Sequence, residues 1–267
     1  MLFDTHCHLD DGSFPEGADA VLERARAAGV GAFTCIGVGS LELARRAVSL
    51  AERRPDVVAT VGIHPHDASA ADAPFESEVA VLASHPRVVA VGEVGLDFHY
   101  DHSPRETQSD VFRRGIALAR RIRKPLVIHT RSAPDETLAI LEAEAARDVG
   151  GVIHCFSEDR AFAARALDLG FYLSFSGILT FKSARSVHDV AAWAPEDRLL
   201  VETDSPYLAP VPLRGKKCEP AFVKHTAARL AELRHSDLDR VAAFTSENAA
   251  RLFGLAVGAD GLEVGRA

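Results

Sequence analysis

Apolar residues in this chain come in short, nearly unbroken runs separated by longer Ala-, Arg-, Glu- and Leu-rich segments of helical length. The runs are LFDTHCH at the start, GAFTCIGV (31–38), VVATVGIH (57–64) and VVAVGEVGL (88–96). They continue with PLVIHT (125–130), GGVIHCF (150–156), FYLSFSG (171–177) and RLLVETD (198–204). Runs without polar alternation suit the strands of a parallel sheet covered on both faces. The intervening segments, such as ADAVLERARAA, LELARRAVSLAERR and QSDVFRRGIALARRI, predict helices. The helix after the fourth run has a start signal, with Ser103 as N-cap, Pro104 at the first helical position and Glu106 as capping-box partner.

Eight strand–helix repeats without a Gly/Ser linker predict an α/β protein, a single (β/α)8 TIM-type barrel over residues 1–267, with an irregular tail from about 255. A doubly wound sheet is the alternative, but no GxGxxG follows the first strand. The polar loops HPHD, LDFHYDHSP, TRSAPD and DSPYLAPVPLRGKK all follow strands. A barrel collects such loops on its C-terminal face, where active sites are built.

Composition narrows the setting. No run of 18 apolar residues marks a transmembrane helix, and no basic and apolar leader opens the chain. The four cysteines are scattered, as expected of reduced thiols in the cytoplasm. A net charge of −8 argues against a broad surface that grips duplex nucleic acid, while leaving room for a small phosphate site.

The chemistry lies at the strand ends, which carry His6, His8, Glu93, His129, His154 and Asp204. Asp4, His6 and His8 are spaced by two and are expected on one face of the first strand, with Cys7 turned outward as a packed thiol. Imidazoles with carboxylates suit Zn or Mn, and Mg where carboxylates dominate. A single catalytic zinc needs only three protein ligands and a water, so two divalent cations sharing Glu93 are the economical reading. One strand-end histidine is more often structural than ligating; the agreement of several strand ends carries the argument. His85, His188, His225 and His235 fall in or beside helical patterns and read as surface residues, whereas His64, His66, His99 and His102 lie in top-face loops, with His64 the best placed to touch substrate. Arg131, Lys182, Arg214 and Lys216 lie just beyond strands five, seven and eight, which points to an anionic substrate, with phosphate the natural candidate. Lys217 reads as a solvated charge. Ser157 stands where the helix after strand six is expected to begin, as a phosphate contact or a plain N-cap.

Taken together, FDTHCHLD, GIHPH, VGEVGLDFHY, PLVIHTR, IHCFSE, SFSGILTFK, ETDSPYLAPVPLRGKKCEP and SENAARLFG resemble the TatD family of metal-dependent deoxyribonucleases, within the amidohydrolase-like barrels. The matching stretches run from Asp4 to Gly254. The resemblance implies that His6, His8, Glu93, His129, His154 and Asp204 hold two metals, with Glu93 bridging and Asp204 orienting the attacking water and taking its proton. It implies a DNA substrate, cut as single-stranded ends, with His64, Arg131, Lys182, Arg214 and Lys216 holding phosphate or its neighbours. No membrane and no obligate protein partner are implied. Two positions depart from the pattern: Glu158 follows Ser157 where the family has Gly, and Cys218 stands where it has Asn. An inward carboxylate at 158 would repel phosphate. Two other functions fit the same residues: ester or amide hydrolysis, such as deacylation of aminoacyl-tRNA, and a metal-stabilised barrel that binds a nucleotide or partner without turnover.

Overall fold

The computed structural model describes residues 1–9, 12–258 and 261–265. Eight parallel strands lie side by side in chain order: β1 (Leu2–Cys7), β2 (Val30–Gly37), β3 (Val57–Val61), β4 (Val88–Asp97), β5 (Leu126–Arg131), β6 (Gly151–Ile153), β7 (Phe171–Phe175) and β8 (Leu199–Val201). Each is followed by a helix: α1 (Ala18–Ala27), α2 (Leu41–Arg53), α3 (Ala73–Ala83), α4 (Arg105–Ile122), α5 (Pro134–Ala143), α6 (Arg160–Asp168), α7 (Arg185–Trp193) and α8 (Val223–Leu233). This is the expected barrel. It closes at its upper rim, where Cys7 bridges Ser205, the His8 N–H donates to the Ser205 carbonyl at 2.8 Å, and the Asp204 N–H donates to the His6 carbonyl at 2.9 Å. The residues that close the barrel are therefore the candidate ligands themselves or their immediate neighbours.

Strand alternation sorts the core into two compartments. One cluster fills the space between the sheet and the surrounding helices, with Val57, Val61, Val91, Leu126, Ile128 and Leu173 among its strand residues. A smaller one takes a residue from every strand, including Phe3, Ala32, Val58, Ala90, Val127, Val152, Tyr172 and Leu200. These line the lower lumen. Two residues higher on the same faces stand Thr5, Thr34, Thr60, His129, His154, Ser174 and Glu202. The lumen thus changes from apolar to polar along the strands, and the polar end is the functional rim.

Three local expectations are corrected. Residues 255–258 and 261–264 form an antiparallel hairpin, β9 (Leu255–Gly258) and β10 (Gly261–Val264), rather than an irregular tail. It follows α9 (Leu238–Phe253), and Leu262 joins Phe253 and Phe3 in the lumen cluster because the barrel base needs an apolar cover. Ser103 does not cap α4: the helix starts at Arg105 with no side-chain cap, and the Ser103 hydroxyl donates to the His66 carbonyl at 2.9 Å while accepting the Ser69 N–H at 3.0 Å. A buried hydroxyl here satisfies backbone groups of the loop after β3 instead of the helix end. Likewise α6 is capped by Asp159, whose side chain accepts the Phe162 N–H, and Ser157 stays exposed in the preceding loop.

Arg87 ties the hairpin to the barrel base. Its guanidinium donates to the carbonyls of Ala51, Pro55 and Leu262 at 2.8–3.0 Å, and also to that of Val57. Arg87→Met keeps the aliphatic stem but strands these carbonyls. We expect a loss of about 2–4 kcal/mol, seen as a melting temperature lower by roughly 5–15 °C. A shift under a degree or two would show that water replaces the guanidinium without loss.

Candidate metal centre

The lumen faces of β1, β4, β5, β6 and β8 converge on one carboxylate. Glu93 lies within β4, not at its end, and the β4–β5 register slips between Gly92 and Val94. Such a bulge re-aims a side chain out of strict alternation. Close contact fixes the slip: Gly95 sits at φ 144°, and a Cβ there would lie 1.9 Å from the His129 carbonyl oxygen. Only glycine allows β4 to press on β5 beside a candidate ligand.

The two oxygens of Glu93 face different groups. Oε2 lies 3.4 Å from His6 Nε2; Oε1 lies 2.7 Å from His129 Nδ1, 2.9 Å from His154 Nε2 and 3.4 Å from His64 Nε2. Asp204 completes the first side, its Oδ1 being 3.6 Å from both His6 Nε2 and His8 Nε2. All six sequence-predicted ligands, together with His64, thus come together. Asp204 takes φ 56°, a left-handed conformation that turns its carboxylate back over the β1 edge and that Asp and Asn tolerate better than most residues.

Asp4 does not join them. The β1–β2 register slips between Asp4 and Cys7, so an extra residue breaks the expected alternation. His6 and His8 reach the centre, while the Asp4 carboxylate accepts the Thr203 N–H at 2.8 Å and its hydroxyl at 2.6 Å, bracing the β8 end. Cys7 is buried in the outer core and donates to the Thr34 carbonyl, as a packed thiol should.

Two acidic residues not singled out from sequence orient the imidazoles. Asp97 Oδ2 lies 3.3 Å from His129 Nε2 and 2.8 Å from His66 Nε2. Glu202 Oε1 lies 3.2 Å from His154 Nδ1 and accepts the Cys155 N–H at 2.7 Å. His129 and His154 therefore each have a carboxylate on one ring nitrogen and offer the other to the centre, the arrangement that fixes ring orientation at metal sites. The available signal was an acidic residue inside an otherwise apolar run, since a buried charge needs a partner.

The donor set fits divalent cations. Three overlapping groups bring ligand atoms within 4.8 Å of one another: His6, His8 and Glu93; His64, Glu93 and His129; His6, His154 and Glu202. Both ring nitrogens of His6 are buried without a hydrogen bond, a costly state for an imidazole that is relieved by a ligated cation. Burial alone would raise the Glu93 carboxyl, but the His154, His64 and His129 imidazoles outweigh it and hold it well below the carboxylate range. Burial likewise works against Asp204, yet the facing imidazoles of His8, His6 and His154 keep it low. Burial pushes His64 down to about 4, so it stays neutral. The anions are ionised at neutral pH, as cation ligands must be.

The remaining candidates lie around the mouth. Arg131 and Arg214 are exposed and lie over the rings of Tyr100 and Phe181, at 4.6 and 3.9 Å. Lys182 and Lys216 are exposed. Among the described residues, none of these four has a carboxylate in ion-pair range, whereas surface arginines such as Arg24, Arg105, Arg114 and Arg240 do. Lys217, read as solvated, donates instead to the Ser13 carbonyl. Cys218 is buried beneath the β8 loop, its N–H donating to the Pro206 carbonyl at 3.1 Å, so this departure lies in the packing under that loop. Glu158 is half-buried; burial, then Asp159, raises its carboxyl, and among the described residues no hydrogen bond or ion pair joins it to the centre.

Residues 3–254 match the family model described as TatD related DNase. An uncharacterized metal-dependent hydrolase of Bacillus subtilis, YabD, is 41% identical over 253 residues, covering 95% of this chain and 99% of its own. The 3'-5' ssDNA/RNA exonuclease TatD of Citrobacter rodentium is 34% identical over 259 residues, covering 95% and 98%. The crystal structure of the Escherichia coli TatD homologue YjjV superposes with a TM-score of 0.90 at 31% identity, covering 96% and 98%. A barrel whose lumen delivers four histidines and two carboxylates to one rim thus has relatives along its whole length, and the chain belongs to the TatD family of metal-dependent hydrolases.

Proposed function

We propose that this hydrolase is a phosphodiesterase that trims single-stranded DNA ends, using two divalent cations drawn from Zn, Mn and Mg. The observation that carries the reading is the split carboxylate of Glu93, with one oxygen facing His6 and the other facing His129 and His154. Two cations so held would lower the pKa of a water and neutralise charge on the attacking and leaving oxygens. Asp204 serves as base and orienting group: its side chain is 14% exposed against 4% for Glu93, so it alone of the two carboxylates meets the mouth. His64, also 14% exposed, stands on the opposite wall to receive substrate. Arg131, Lys182, Arg214 and Lys216, exposed and without a carboxylate partner among the described residues, supply cations for phosphate oxygens around a recessed centre. The net charge of −8 suits a pocket for strand ends rather than a duplex-binding face, and the exonuclease name of the Citrobacter relative supports the same substrate. Four free thiols suit a reducing cytoplasm.

Chelated protein is expected to lose hydrolysis of a single-stranded oligonucleotide and to regain it when Mg, Mn or Zn is added back. Full activity in excess chelator, after verified metal removal, would overturn the reading. Arg214→Ala with Lys216→Ala should raise the KM for the oligonucleotide by about tenfold or more and flatten its salt dependence, with metal content unchanged. An unaltered KM and salt response would remove these two residues from the phosphate site. Hydrolysis of an acyl ester without any cleavage of DNA would replace the phosphodiester assignment.

A further inference from the structure

On the β4–β5 side of the centre stand flat side chains of which the chemistry above uses only the charge of Arg131. Tyr100 is 50% exposed, although few large apolar side chains in the molecule are. The Arg131 guanidinium lies 4.6 Å from its ring centroid, and the His102 imidazole is stacked on it at 5.5 Å with only 6° between the planes. His102 and Arg131 are exposed as well. The result is a cluster of flat groups open to solvent at the mouth of the site, with the Tyr100 and His102 rings parallel and the Arg131 guanidinium over the Tyr100 ring.

The stack is keyed to the centre through Asp97. While Oδ2 of that carboxylate holds His129 and His66, Oδ1 accepts the backbone N–H groups of Tyr100 at 2.9 Å and His99 at 3.0 Å. The Phe98 N–H donates to the Arg131 carbonyl at 2.9 Å, and Arg131 pairs with Asp97 in the β4–β5 ladder. His66 fills the space between, with its ring 5.6 Å from Tyr100, 4.6 Å from His102 and 6.2 Å from His129. The backbones of Tyr100 and Arg131 are therefore tied to the carboxylate that orients a candidate ligand. A lone exposed tyrosine needs no explanation. An aromatic and guanidinium cluster carried on a tied backbone, one side chain away from where a phosphate would be cleaved, is a built surface.

We propose that Tyr100, His102 and Arg131 form a stacking ledge for the nucleobase adjoining the scissile phosphate. The inference rests on the phosphodiesterase reading and deepens it. Proteins that hold single strands without sequence preference place bases on aromatic and guanidinium planes, because every base has a flat face. A base paired within a duplex has both faces covered by its neighbours, so only an unpaired end reaches the ledge. Preference for single strands then arises from stacking beside the centre, with no need for a wide basic surface.

The test uses the metal-loaded full chain and two single-stranded oligonucleotides, one intact and one with abasic residues at its terminal positions. For the wild type, the abasic strand should show a KM higher by roughly 5- to 150-fold, the range expected for one stacked base. Tyr100→Ala should raise the KM of the intact strand by a similar factor and remove most of the difference between the strands. Tyr100→Phe should keep the difference, because stacking needs the ring and not the hydroxyl. His102→Ala, a change at an exposed loop position, gives a second reduction if Tyr100→Ala proves unstable. Equal cleavage of both strands by the wild type, or full discrimination retained in both alanine variants, overturns the ledge. Cleavage of neither strand by the wild type is a different result, which overturns the phosphodiesterase reading and the ledge with it.

Discussion

Glu93→Gln should fold as a barrel, bind no more than one divalent cation per chain and lose turnover by about 10²- to 10⁴-fold. The reason is that a glutamine amide has one acceptor oxygen where the carboxylate has two. Whichever way the amide turns, its NH2 group faces either His6 or the His129 and His154 pair, and an amino group cannot ligate. The fold should survive because the change removes a buried charge while keeping the shape of a side chain held in the β4 bulge. Metal analysis after dialysis, a single-stranded DNA assay and a thermal melt on one preparation would separate the effects. Two cations retained with near-normal rate would show that Glu93 does not bridge.

The second large effect is expected at Asp204. Asp204→Asn should reduce kcat by about 10²-fold or more, with the KM for DNA little changed. Asparagine is the informative replacement because residue 204 sits at φ 56°, which Asn adopts with little strain, whereas a β-branched or bulky residue would not. The backbone link from the Asp204 N–H to His6 is also kept, so barrel closure is undisturbed. What changes is the charge that faces His6 and His8 and the ability to accept a proton. Loss of rate with full metal content would mark Asp204 as the base, and loss of both would mark it chiefly as a ligand. A variant with near-normal rate and metal content would remove it from the centre.

Much of this site was legible because barrel strands end in the same place. A histidine closing an apolar run, as in PLVIHT or GVIHCF, reports by position alone that it reaches the C-terminal rim. Asp97 and Glu202 were not read as site residues, since each lies within a motif already explained by a neighbour. Their role depends on which imidazole stands across the lumen, 32 residues away for Asp97 and 48 for Glu202. Asp4 shows the opposite error. Its spacing from His6 is that of a regular strand, and the inserted residue that breaks the pattern is visible only in the pairing with β2. The Ser103 signal failed for a similar reason: a sequence that can cap a helix was drawn into the loop carrying His66.

The sequence by itself determined the eight strand–helix repeats, the rim on which the chemistry gathers and the six residues brought to it. These follow from periodicity and order along the chain, which are local properties. Only the tertiary structure decided that Glu93 presents its two oxygens to two different sets of imidazoles, that Asp97 and Glu202 hold His129 and His154 in place, and that a hairpin covers the barrel base. Register slips in β1 and β4 and the closing contacts between β1 and β8 set those relations. They depend on how strands far apart in the chain press on one another, as where Gly95 meets the His129 carbonyl, and no local pattern encodes that contact.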